Sequence, residues 1–197
     1  MPMTDLGPAA ENLCALIEAV PEDDLGRPTP CPEYTVGDLL HHMAGLTMAF
    51  GGAAVKARGE SAEMLPWGDV SKLDPDWRVS LPNRVRALAE AWQDPDAWTG
   101  ITRVAGADSP AEVVGVFLLG EMVVHGWDLA RGADLPFSPD PATLTPLYGL
   151  MHQVFGPDQD QAVRGQAFGP AVPVDPDGSV LDQTLGLLGR DPAWSAS

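Results

Sequence analysis

Apolar residues recur along this chain at helical spacing, and polar or proline-rich stretches separate the runs. Leu13, Leu16, Ile17 and Val20 follow the i, i+3, i+4, i+7 pattern of an amphipathic helix. The segment PEDDLGRPTPCPEY then breaks the pattern. A second helix is expected after Thr35, because Thr35 and Asp38 have the spacing of an N-terminal capping pair. Its apolar face is Val36, Leu39, Leu40, Met43, Leu46 and Phe50. Residues 56–79 read as irregular, interrupted by Pro66, Gly68 and Pro75. Val85, Leu88, Ala89 and Trp92 predict a third helix, with Ser80 before it as a cap.

The fourth helix carries the clearest start signal. In SPAE, Ser109 takes the cap, Pro110 the first helical position and Glu112 the third after the cap. The helix should run to about Arg131, before Gly132. It is apolar nearly all round, which places it in the middle of the packing. A fifth helical segment is expected between Pro141 and Phe155. The tail begins extended and Pro-rich and is expected to end in a short helix around Leu181 to Leu188. GITRVAG and GPAVPV are the two stretches suited to short extended pieces. Helices joined by loops predict an all-α fold, a four-helix bundle with an extra C-terminal segment. The expected organisation is one domain, with the bundle core over about residues 8–155 and an extension over the remainder.

Bulk properties narrow the function. A chain of 197 residues, 45% apolar and 20% charged, suits one globular domain with a sizeable core. The 28 acidic and 11 basic side chains give a formal net charge of −17. Such a surface repels phosphate backbones and anionic lipid, which argues against nucleic acid and membranes as partners. The N-terminus has neither the basic nor the apolar region of a signal peptide. Cys14 and Cys31 are the only cysteines, so a cytoplasmic protein with free thiols is expected.

Candidate chemistry lies in the fourth helix. In GEMVVHGWDLAR, Glu121 and His125 are one turn apart and project to the same side, with Asp128 close to that stripe. Polar groups on a buried helix face must be satisfied. On the second helix His42 lies on the shoulder of the apolar face, whereas His41 lies nearly opposite, toward solvent. If the two helices pack together, His42, Glu121 and His125 form a two-histidine, one-carboxylate set. Three protein ligands leave an open position, as catalytic metal sites do, and the set suits Zn²⁺, Fe²⁺ or Ni²⁺. An ordinary helix ion pair between Glu121 and His125 is the competing reading. Asp128 has two open roles, orienting a ligand histidine or pairing with Arg131. Cys31 is too far from His42 along the chain to serve as a ligand unless its loop folds back. Cys14 and Trp127 read as core, and His152 as surface or structural.

TPCPEYTVGDLLHHMAG and GEMVVHGWDLAR together resemble the two signature stretches of the metal-binding domain of mycothiol-dependent maleylpyruvate isomerases, within the DinB-like superfamily. LLGRDPAW is similar to a single-domain actinobacterial branch of that group. The resemblance implies a DinB-like bundle whose metal ligands fall on His42, Glu121 and His125, the set that helical geometry also selects. Tyr34 stands where tryptophan is common in that family, and His41 where a small residue is common. Those isomerases carry a second, C-terminal domain. Only about forty residues follow Phe155 here, too few for such a domain.

The resemblance therefore supports the metal domain rather than the isomerase reaction itself. The donor set favours zinc, with nickel or iron as alternatives, and the resemblance implies mycothiol as the thiol cosubstrate. The expected activity is a thiol S-transferase or isomerase, in which a small thiol and an electrophilic substrate are the partners and a homodimer is allowed. The competing classes are a non-catalytic metal-binding module and a metal-dependent hydrolase.

Overall fold

The computed structural model describes residues 3–156 and 168–196. Helix α1 spans Gly7–Ala19, α2 Val36–Ala54, α3 Glu60–Glu63, α4 Trp77–Ala91, α5 Ala111–Gly132, α6 Pro141–Phe155 and α7 Val180–Leu187. Strands β1, Ile101–Val104, and β2, Ala107–Pro110, form an antiparallel hairpin. The fold is all-α apart from this hairpin among the described residues, as the periodicity predicts.

Helices α1 and α2 each pack against both α4 and α5, which makes the four-helix bundle. Helix α6 packs on α5 and on α7. Phe168, Leu187 and Leu188 join the same core, so the C-terminal segment is fastened to the bundle. Every residue from Leu118 to Ala130 is buried, which puts α5 at the centre. This helix is also long and apolar enough to cross a membrane, but 89% of its apolar window is buried inside the protein, as in a core helix.

Thr35 caps α2 as its spacing predicts. Its hydroxyl accepts from the Asp38 amide, and the Asp38 carboxylate accepts from the Thr35 amide at 3.1 Å. The apolar face of α2 is buried except at Leu46, which is half-buried. Segments α6 and α7 fall where the sequence places them.

Two helix starts differ from expectation. Helix α4 begins one turn before Ser80, which sits inside it and donates its hydroxyl to Asp74 at 2.8 Å. Ser109 does not cap α5, because it is committed to β2, where it pairs with Thr102. Pro110 takes the cap position without a side-chain bond. The first α5 amide, that of Ala111, donates instead to the Gly100 carbonyl at 3.0 Å. The strand thus runs straight into the helix, and no serine cap is required. Residues 56–79 are less irregular than expected, since α3 and a 3₁₀ turn at Val70–Lys72 lie there. GITRVAG supplies β1. GPAVPV forms no strand, although Val172 donates to the Gly186 carbonyl at 2.8 Å.

Candidate metal site

Helix α5 holds Glu121 and His125 on one inward face, and α2 brings His42 against them. One ligand-type atom from each of the three residues lies within 4.8 Å of the others. His125 Nε2 is 2.9 Å from Glu121 Oε2. The His42 and His125 rings stand edge to face with centroids 4.9 Å apart. Glu121 and His125 are each 6% exposed, whereas His42 is half-buried and forms the accessible side of the cluster.

Each histidine is oriented through its other ring nitrogen. His42 Nδ1 lies 3.1 Å from the Pro66 carbonyl oxygen, to which it donates in the Nδ1–H tautomer. That leaves His42 Nε2 as the acceptor nitrogen. His125 Nδ1 lies 3.1 Å from Asp128 Oδ2. This is the histidine–carboxylate pairing that fixes a ligand ring and its tautomer in metal sites. Of its two candidate partners, Asp128 meets His125 rather than Arg131. Arg131 points elsewhere and donates to the Trp194 carbonyl at 2.6 Å.

The charge partner of Asp128 is Arg190, which the sequence reading did not single out. The Arg190 Nε donates to Asp128 Oδ1 at 2.9 Å, and its Nη2 donates to Oδ2 at 2.9 Å. Both residues are buried. The missing signal was long-range, since the partners lie 62 residues apart and no local spacing links them.

The electrostatics follow from this enclosure. Burial pushes the His42 imidazole down to about 4, helped by the neighbouring His125 and opposed by Glu121 and the Pro66 carbonyl. Burial also opposes charge on His125, but bonds from Asp128 and Glu121 outweigh it and lift the imidazole to about 9. Burial favours protonation of Asp128, yet Arg190 and His125 hold its carboxyl below the usual range. With both ring nitrogens facing carboxylates, His125 carries a proton on Nε2 that a metal would replace.

A loop forms the wall beside His42. The His41 Nδ1 accepts from the Asp69 amide at 3.1 Å and lies 3.0 Å from the Trp67 carbonyl oxygen. His41 is therefore half-buried beneath the loop and does not simply point to solvent, as its helical position suggested. The Val70 amide donates to Asp38 Oδ1 at 2.8 Å. Tyr34 lies over His42 at a 5.0 Å ring separation, and Trp67 meets Tyr34 edge on. Gly68 is required here, since a Cβ would fall 2.5 Å from the Asp38 carbonyl oxygen and 2.8 Å from the Tyr34 ring.

Cys31 is not part of the His42, Glu121 and His125 cluster. Burial pushes its thiol up to about 11, with Arg190 acting in the opposite direction. Cys14 and Trp127 are buried core. His152 is exposed and meets the Tyr148 ring edge on. Among the described residues, one cavity lies between α1 and α5 beside Phe137 and another beside Trp98 and Glu112, both away from the cluster.

The family model described as the mycothiol maleylpyruvate isomerase N-terminal domain matches residues 6–130. Uncharacterized proteins from two strains of Mycobacterium tuberculosis are each 25% identical over 183 residues, which is 92% of this chain and 93% of theirs. Crystal structures of the mycothiol-dependent maleylpyruvate isomerase and of a mutant of it superpose with a TM-score of 0.47 and 18% identity. Those superpositions cover 83% of this chain and 70% of the other.

Proposed function

The chain belongs to the mycothiol maleylpyruvate isomerase N-terminal domain family, and from that premise we propose that it binds one divalent metal and acts as a thiol-dependent transferase or isomerase. The carrying observation is the convergence of His42, Glu121 and His125 from two helices, with ligand atoms within 4.8 Å. The donor set fits such an ion. It offers two imidazoles and a carboxylate, and each imidazole has its Nδ1 engaged by an oxygen, which leaves Nε2 for coordination. Zinc suits these donors best, with nickel and iron as alternatives.

When bound, the metal would supply a Lewis acid that lowers the pKa of a thiol and holds it as the nucleophilic thiolate. The protein's own residues do the rest. Pro66 and Asp128 orient the two rings, and Glu121 adds a negative donor that limits the net charge of the site. Tyr34 and Trp67 provide an apolar wall on the accessible side. The thiol would be mycothiol or a close analogue, and the second substrate a small electrophile.

The burial of Glu121 and His125 favours a second reading, a closed metal module without turnover. One experiment separates the two. The protein is loaded with cobalt and titrated with mycothiol. A sulfur-to-metal charge-transfer band is expected, with release of the thiol proton. Metal binding without that band supports the closed module or a water-using hydrolase, which hydrolysis assays then distinguish. No metal binding by the wild type would sink all three.

A further inference from the structure

We propose that Arg190 is a positioning residue of this site, acting through Asp128 to hold His125 in its ligating tautomer. The inference rests on the metal reading above. Asp128 is fully buried, and Arg190 grips both of its oxygens, Nε on Oδ1 and Nη2 on Oδ2. A planar guanidinium against a carboxylate in this two-point fashion fixes the plane of the carboxylate as well as its position. The oxygen that Arg190 shares, Oδ2, is the one that receives the His125 Nδ1–H at 3.1 Å. Fixing Asp128 therefore sets which way the ring faces and keeps a hydrogen on Nδ1, so that the Nε2 proton is the one a metal would displace. Nε2 is left aimed at Glu121, 2.9 Å away, on the side where His42 closes the cluster.

The C-terminal segment is shaped to deliver this side chain. Helix α7 ends at Leu187, and Gly189 then turns with φ +80°, a left-handed conformation that suits glycine. A Cβ at Gly189 would also lie 3.0 Å from the Gly169 backbone. The Arg190 amide donates back to the Leu185 carbonyl at 2.8 Å, which closes the turn. Leu185 and Leu188, just before Gly189, are fully buried. A second clasp follows at once, where Arg131 of α5 donates to the Trp194 carbonyl. The tail thus grips the end of α5 that carries His125 and Asp128.

The test measures zinc and cobalt dissociation constants by chelator competition on the full chain, together with the cobalt d–d spectrum and the circular dichroism of each variant. Arg190→Met and Asp128→Asn should each weaken zinc binding about 10- to 100-fold, the usual effect of losing an orienting partner of a metal-bound histidine. Both should also change the cobalt spectrum. The double variant should bind zinc no more weakly than Asp128→Asn alone, because Arg190 acts only through Asp128.

Arg190→Met with wild-type affinity and spectrum would overturn the proposal, even if its melting temperature fell, because Arg190 would then be only a structural tie. Losses that multiply in the double variant would also overturn it. Should Arg190→Met not fold, Arg190→Lys decides: the lysine keeps the charge and loses the fork. Weakened zinc binding with a native dichroism spectrum supports the proposal, and unchanged binding overturns it. A wild type that binds neither metal overturns the underlying metal reading as well, and that outcome is distinct from all the others.

Discussion

The imidazole rings of His42 and His125 meet edge to face at an interplanar angle of 86°, one from α2 and the other from α5. Two helices far apart in the chain are joined here by polar side chains within a largely apolar interface. An ion held by His42, Glu121 and His125 would cross-link them. Metal should therefore raise the melting temperature of the wild type, by about 2.7 kcal/mol of stability at a free concentration 100 times the dissociation constant. Differential scanning calorimetry with zinc and with chelator measures this. The increment should vanish in His42→Ala and in Glu121→Ala. If His42→Ala retained it in full, His42 would not be a ligand.

His41, one position away, behaves differently. It holds the loop through the Asp69 amide and does not reach the cluster. His41→Ala should keep its metal stoichiometry and lose about 1 kcal/mol of stability, the usual net worth of a hydrogen bond. Elemental analysis and urea denaturation report the two quantities separately. Loss of metal in this variant would mean that the loop, and with it the Pro66 contact to His42, matters more than the ligand helix.

Asp38 couples the start of α2 to the same loop. Burial works against its charge, but bonds from Thr35 and Val70 outweigh it and hold its carboxyl below the ordinary 3.8. A carboxylate with a depressed folded-state pKa contributes stability that is fully present above its unfolded value. That contribution is lost as pH falls through the folded value. Asp38→Asn should cost about 1 kcal/mol at neutral pH, as lost caps do. The wild-type advantage should shrink below about pH 4. Parallel denaturation curves at pH 7 and pH 3 check the sign; a gap that widened in acid would contradict it.

Much of this architecture was legible because it is local. The capping pair Thr35–Asp38, the apolar stripe of α2 and the uniform hydrophobicity of α5 each arise within a few residues. The convergence of His42, Glu121 and His125 was legible for the same reason, since one helical turn and one helix shoulder define it. What escaped depends on tertiary contact. Ser109 has the chemistry of a cap, but a hairpin ladder claims it, and no pattern in SPAE reveals the partner strand. His41 occupies a solvent-facing helical position, yet the 66–70 loop folds over it. Arg190 lies in a tail whose turn depends on Gly189 meeting Gly169.

Cys31 gives the last test, because its surroundings make a definite statement about reactivity. The residue is half-buried and free, and burial lifts its thiol to about 11, against the ordinary 9.0. At pH 8 the thiolate fraction is then about 100-fold smaller than for an unperturbed thiol. Nucleophilicity rises with pKa and restores about tenfold of that loss. Alkylation by iodoacetamide at pH 8 should therefore run about tenfold slower than for a small free thiol. The rate should keep climbing with pH toward about 11. Cys14 is fully buried and should stay silent until the protein unfolds. Mass spectrometry of the alkylated peptides separates the two cysteines. Cys31→Ser should bind zinc as the wild type does, since Cys31 is not among the converging ligands. A rate that levelled off by pH 9, or zinc affinity lost in Cys31→Ser, would show that Cys31 is held as a thiolate and belongs to the site.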